Sequence, residues 1–285
     1  MMDKNAVSPG INGMPRVVLA APDGARAEIY LQGAHVTAWT PAGGQARLYL
    51  SELAEFREGA AIRGGIPVIF PQFSDRGPLP RHGFARSAPW ELVSVDKTAT
   101  GEAIATLRLR DTAATHQVWA GSFVADLIVS IGGRRLDVTL AVTNTGVEAF
   151  SFSGALHSYL HVADVTATLI EGLGGQRFVD QTAGGQETIQ PPGALAIVGE
   201  VDRIYLGAPA SVTVREPAHV TEVSAVGFPD MVVWNPGPAR AAALSDLEPG
   251  GYRRMLCVEA AVIGTPVRLE PAERWRGTQS LRVRS

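Results

Sequence analysis

The chain has 285 residues, one cysteine and a formal net charge of −3 at pH 7. That charge leaves no broad basic surface for nucleic acid, and no apolar run reaches the roughly 18 residues of a membrane span. A lone cysteine excludes an internal disulfide and a cysteine-rich zinc site, and it fits a reducing cytoplasm. Hydrophobic content of 46%, with 31 glycines and 19 prolines, points to a large core and many turns.

Met1 to Met14 is polar, contains Pro9 and Gly10, and lacks the apolar core of a secretory signal, so residues 1–14 are expected to be a flexible, frayed end. Short strands follow at Arg16–Ala20, Ala27–Leu31 and Val36–Trp39. Pro22-Asp23-Gly24 is a turn in which proline presets φ and glycine accepts the left-handed position. Ser51 to Gly59 reads as a turn of helix capped by Ser51. Next, Arg63-Gly64-Gly65-Ile66-Pro67-Val68-Ile69-Phe70-Pro71 puts two glycines ahead of a short apolar strand between prolines, which describes a backbone that approaches something closely. The loop after it ends in Leu79-Pro80-Arg81-His82-Gly83-Phe84-Ala85-Arg86. Its cations are either scattered and solvated or an anion clamp, because guanidinium presents a planar fork that matches phosphate oxygens.

From Trp90 the strands come regularly, at Glu91–Val95, Ala103–Arg110, Phe123–Ile131 and Arg135–Asn144, the last two joined as a hairpin through Gly132-Gly133-Arg134. They continue to Ser280–Arg284, and only Ala239–Asp246 reads as a short helix. No linker, charge block or fixed repeat intervenes. The pattern predicts an all-β, large antiparallel β-sandwich forming one domain over residues 15–285.

Two stretches carry chemistry. Phe150 to Val162 reads as one apolar strand on which His157, Tyr159 and His161 share a face. Imidazole exchanges protons near neutral pH, so that face suggests the floor of a wet cavity. The blander alternative is one satisfied core histidine and one at a rim. Glu259 interrupts the apolar run Met255–Val262, and an unpaired buried carboxylate is strongly unfavourable. It therefore pairs with an arginine or lines a polar cavity. Asp202, beside Arg203 at the start of a strand, is a weaker case of the same kind. His157, His161 and Glu259 also make up a two-histidine, one-carboxylate metal set. There is no Gly-x-Ser-x-Gly, no phosphate loop ending in Gly-Lys-Ser/Thr and no Rossmann fingerprint.

Six motifs in order complete the reading: Ile62-Arg63-Gly64-Gly65-Ile66-Pro67, His82-Gly83-Phe84-Ala85-Arg86, Ala155-Leu156-His157-Ser158-Tyr159, Asp202-Arg203-Ile204-Tyr205, Val233-Trp234-Asn235-Pro236 and Met255-Leu256-Cys257-Val258-Glu259. Together they resemble the glucose-6-phosphate 1-epimerases, the hexose-6-phosphate mutarotases of the aldose 1-epimerase (galactose mutarotase-like) superfamily, over nearly the whole chain. The resemblance implies a β-sandwich of the galactose mutarotase type that interconverts the α and β anomers of a hexose 6-phosphate, with no metal and no cofactor. It implies His157 as general acid and Glu259 as general base. It implies Arg63, Arg86 and Asp202 as substrate contacts, with His82 near the sugar ring; Arg81, beside them in sequence, is a further candidate contact on its charge alone. Arg81 and Gly237 depart from the residues usual in relatives. A neighbouring Glu259 carboxylate is expected to favour the imidazolium form of His157. The expected partner is a phosphosugar in the cytoplasm, and the oligomeric state stays open with a monomer favoured. Two rivals remain: an idle carbohydrate-binding sandwich with Trp39, Trp90 or Trp234 as platform, and a metal enzyme built on His157, His161 and Glu259.

Overall fold

A computed structural model of the chain describes residues 6–284. Every pair of named strands in it is antiparallel. A nine-stranded sheet packs against an eight-stranded one, and a four-stranded sheet, Val7–Pro9 through His35–Thr40, lies beside them. The hairpin of Phe123–Gly132 and Arg135–Asn144 forms as expected, with Ile131 opposite Leu136. Alternate residues of these strands, among them Leu127, Val129, Val138 and Leu140, are buried in the main core. Each such side chain contributes roughly 1.5–3 kcal/mol by leaving water.

The strand Met255–Leu269 organises the other sheet. Its first nine residues are buried on both faces. Leu256, Val258, Ala260 and Val262 enter the main core between the sheets. Period two sends Met255, Cys257, Glu259, Ala261 and Ile263 to the opposite face, where the apolar ones join two smaller clusters. That second face is the floor of a cavity. Two cross-strand rows line up on it, Ile204–Val232–Glu259 and Asp202–Trp234–Cys257–Tyr159.

Three expectations need correction. Residues 7–14 are not frayed: Val7–Pro9 pairs with the strand that starts at Pro15, and Met14 is buried against Tyr30, Phe56 and Ile62. Residues 1–5 lie outside the described part. Ser51 to Gly59 holds no helix; the Ser51 hydroxyl donates to the buried carboxylate of Glu248 and accepts from Leu53 N–H, making a turn instead. The stretch from Phe150 to Val162 is two strands, Phe150–Leu156 and Tyr159–His161, because the Ser158 N–H turns back to the Leu156 carbonyl instead of bonding across to Val258, while the His157 and Tyr159 N–H groups keep their register with Pro67 and Gly65 on the other side.

Candidate active site

The register against Met255–Leu269 survives that break. Leu156 lies opposite Ala260 and Tyr159 opposite Cys257, so His157 stands opposite Glu259. Directly opposed residues bring their Cβ atoms to about 5 Å, and here His157 Nδ1 and Glu259 Oε1 come to 3.3 Å. The geometry is close enough for an ion pair, yet no hydrogen bond forms: His157 Nδ1 and Glu259 Oε2 are buried polar atoms without a partner among the described residues. The His157 ring stacks on Tyr159, with centroids 4.8 Å apart and planes at 9°, and meets the edge of Trp234.

Close backbone approach delivers the rest of the wall. Gly64 and Gly65 have φ of +112° and +60°, and a Cβ on either would lie 2.4 Å or less from the carbonyl oxygen of Tyr49 or Val36. The segment after Arg63 is thereby pressed against the strand of Tyr159, as the double glycine suggested. Arg63 donates through Nε to Asp246 at 3.1 Å and through Nη1 to the Tyr159 hydroxyl at 3.0 Å. His82 sits in the left-handed region at φ +66°, and its Nδ1 accepts from Ser74 N–H at 3.2 Å. That bond leaves the ring proton on Nε2.

His157, Glu259, Arg63, Arg81, His82, Arg86 and Asp202 all line this one cavity of about 670 Å³, within the usual range for small-molecule sites. Five arginines face it, Arg63, Arg76, Arg81, Arg86 and Arg240, against the carboxylates of Asp75, Asp202 and Glu259. They are not equivalent. Arg81 is exposed at the rim and bonded to Asp75 at 2.6 Å, and Arg240 is paired with Glu200. Arg86 meets no carboxylate within ion-pair distance among the described residues; its one protein bond is from Nη2 to the Arg81 carbonyl.

Electrostatics follow from this crowding. Burial pulls His82 down to about 3, helped by Arg86, Arg81 and Arg63. Burial also pushes His157 well below its ordinary value, with His82, Arg63 and Arg86 adding to it. This reverses the expected imidazolium preference: burial comes first, and the neighbouring cations Arg63 and Arg86 add to it. Glu259 is pushed well above the usual range by burial and by the charge of Asp202. Asp202 itself is raised to about 6, chiefly by burial, while Arg240 holds it down. Both shifts favour the neutral forms, imidazole and carboxyl, a tautomer of the imidazolium–carboxylate pair that carries the same number of protons.

His161 does not join the site. It is exposed, and its charged neighbours are Glu216, Arg254 and Arg47. Four residues of strand carry it roughly 13 Å past His157. The metal set named from the sequence is therefore not assembled. The described residues that could hold a cation are instead His157, Cys257 and Glu259, with ligand atoms within 4.8 Å of one another. Burial pushes the Cys257 thiol well up, which disfavours the thiolate a metal requires. Of the candidate platform tryptophans, Trp39 and Trp90 are in the core and only Trp234 reaches the cavity.

The model of the aldose 1-epimerase family matches residues 15–282. The chain belongs to the aldose 1-epimerase family. It is accordingly an isomerase of the epimerase and mutarotase kind, and its antiparallel sandwich is the galactose mutarotase-like fold. A protein of Cenchrus ciliaris, provisionally named glucose-6-phosphate 1-epimerase, is 35% identical over 279 residues, covering 95% of this chain and 85% of its own. A crystal structure from Salmonella typhimurium, provisionally called a mutarotase, superposes with a TM-score of 0.90 at 28% identity, covering 99% of this chain and 95% of that one. A galactose mutarotase related enzyme of Lactobacillus acidophilus, 15% identical with a TM-score of 0.74 over 94% and 97% of the two chains, shares the fold. Against this aldose 1-epimerase frame, Asp246, Arg76 and Arg240 are the cavity neighbours that sequence reasoning missed. They come from loops and a helix of five residues, Gly237–Ala241, where no periodic pattern marks a side chain.

Proposed function

We propose that this epimerase interconverts the α and β anomers of a hexose 6-phosphate, with glucose 6-phosphate as the leading candidate, in the cytoplasm. The observation that carries the reading is the cross-strand pair of His157 and Glu259, buried at the floor of a cavity ringed by arginines. The name of the Cenchrus relative supports the substrate.

The reaction uses both tautomers of the pair. Glu259, as carboxylate, takes the proton of the C1 hydroxyl while His157, as imidazolium, gives one to the ring oxygen. The C1–O5 bond breaks and the C1–O1 double bond forms. His157 and Glu259 are then neutral, the state that burial favours, while the open-chain aldehyde turns about C1–C2. Closure reverses both transfers on the other face of C1: the O5 proton returns to His157, and Glu259 returns its proton to O1. Each group acting as acid or base contributes about 10²–10⁴-fold. The proton count never changes, so the buried pair needs no exchange with solvent within a cycle.

Around the ring, Asp202 accepts from sugar hydroxyls and His82 donates from Nε2. Arg86 and Arg81 hold the phosphate as a remote anchor, and Arg63 braces Tyr159 beneath His157. Orientation of this kind converts binding into rate. Anomer-resolved exchange NMR tests the proposal. Glucose 6-phosphate should equilibrate much faster with the protein than without, free glucose should be a poorer substrate, and exchange should survive exhaustive chelation. No acceleration would leave the idle sugar-binding sandwich, and loss on chelation with recovery on adding a divalent cation would install the metal reading.

A further inference from the structure

One buried side chain of the opposite sheet touches the neighbours of both proposed catalytic groups. Ser158 follows His157 and Val258 precedes Glu259, and the two are themselves opposed across the strands, joined by Val258 N–H donating to the Ser158 carbonyl at 3.1 Å. Gln279, on the strand Arg274–Arg284, closes a ring with them. Its Oε1 accepts from the Ser158 hydroxyl, and its Nε2 donates to the Val258 carbonyl at 2.9 Å. Gln279 is 2% exposed and Ser158 fully buried.

An amide is out of place there. Gln279 occupies an inward position of its strand, two residues before Leu281 and four before Val283, both in the main core. An apolar side chain would serve packing as well and would need no partner. The site also needs something that its own side chains do not provide. His157 and Glu259 make no hydrogen bond to each other, and each has a buried polar atom without a partner, so their direct contact does not set their spacing. The ladder is interrupted at this point: the Ser158 N–H turns back to the Leu156 carbonyl, and Gln279 Nε2 takes the Val258 carbonyl that it leaves.

We propose that Gln279 is a positioning residue, which clamps the Ser158–Val258 pair and thereby fixes the separation of His157 and Glu259 on the far face of the sheet. This rests on reading those two as the acid–base pair. A misplacement of about 1 Å can lower a rate about a hundredfold, so the clamp should show in turnover rather than in substrate affinity.

The test uses Gln279→Met, which keeps length and loses both bonds, together with Ser158→Ala and the double variant. For exchange of glucose 6-phosphate, Gln279→Met should lower kcat by about ten- to a hundredfold with KM within about twofold of wild type. The double variant should lose no more than the worse single one, since both remove the same contact. The 15N resonances of the His157 ring should move in each variant, a readout that needs no turnover. If Gln279→Met does not fold, Ser158→Ala carries the test with the loss of a single oxygen. Folded variants with unchanged kcat and unmoved His157 resonances would overturn the clamp, as would additive losses in the double variant. Absent exchange in the wild type would remove the functional reading alone; the His157 resonances would still decide the clamp.

Discussion

His157 and Glu259 are register partners on adjacent antiparallel strands, and Nδ1 of one lies 3.3 Å from Oε1 of the other. Two ionisable groups have been placed side by side, both buried at the cavity floor and without a hydrogen bond between them. Such an arrangement is poor for stability. It suits a pair that must exchange protons with a third molecule.

Removal of the carboxyl should therefore favour the fold. Glu259 is 1% exposed. Glu259→Gln keeps the shape, removes the need to bury an ionisable group, and offers an amide N–H to His157 Nδ1. The urea midpoint at pH 7 should rise by an amount on the order of 1 kcal/mol while exchange activity is lost. A destabilisation of several kcal/mol, of the size seen when a buried pair is broken, would mean that the carboxyl holds the structure together.

The arginines should separate by role. Arg86 meets no carboxylate among the described residues, so in the proposed reading its guanidinium is the one that takes the phosphate. Arg86→Ala should lower kcat/KM for glucose 6-phosphate by about 2–5 kcal/mol of transition-state binding, with the poorer turnover of free glucose nearly unchanged. Arg81→Ala should act in the same sense but less, because Arg81 is exposed and already bonded to Asp75. Arg63→Ala should injure both sugars alike, because its guanidinium is committed to Asp246 and Tyr159. Equal losses on the two sugars for Arg86→Ala would reopen the substrate class.

Acid should weaken the fold through His35. It is wholly buried, its Nε2 donates to the Gly64 carbonyl at 2.7 Å, and burial lowers it from 6.5 to about 4. Above pH 6.5 the group is neutral in both folded and unfolded chains. Between pH 6.5 and 4 the unfolded chain takes up a proton that the folded one refuses, so stability falls with pH by a total of about 3 kcal/mol from this group. Buried His82 adds in the same direction. Urea midpoints from pH 7 to pH 5 should show a shallower slope for His35→Leu than for wild type, although the variant is less stable throughout. Parallel slopes would contradict a neutral buried His35.

Much of this was readable in advance, for physical reasons that are specific to each residue. Glu259 stood out because a charge amid Met255–Val262 violates the alternation of a buried strand. The double glycine marked a close approach because only glycine tolerates those dihedral angles beside the carbonyls of Tyr49 and Val36. What was hidden depends on contacts between distant segments. The break lies at Ser158, whose N–H turns back to Leu156 while Gln279 of the other sheet takes the Val258 carbonyl, and no local preference announces it. The outward drift of His161 follows from strand length, which the sequence overstated by joining two strands. The downward shift of His157 arises first from its burial and then from His82, Arg63 and Arg86 converging from separate segments. Asp246 as the partner of Arg63 is likewise a tertiary fact, since the two stand 183 positions apart.

The central claim is that one buried histidine and one buried carboxyl move the protons of anomer exchange. Exchange NMR of glucose 6-phosphate on His157→Asn and Glu259→Gln, each checked for wild-type folding, tests it most directly. Both variants should lose about 10²-fold or more of the catalysed exchange, and the double variant should lose little beyond either single one, since the two groups act as a unit. Near wild-type exchange in either folded variant would contradict the assignment of that residue.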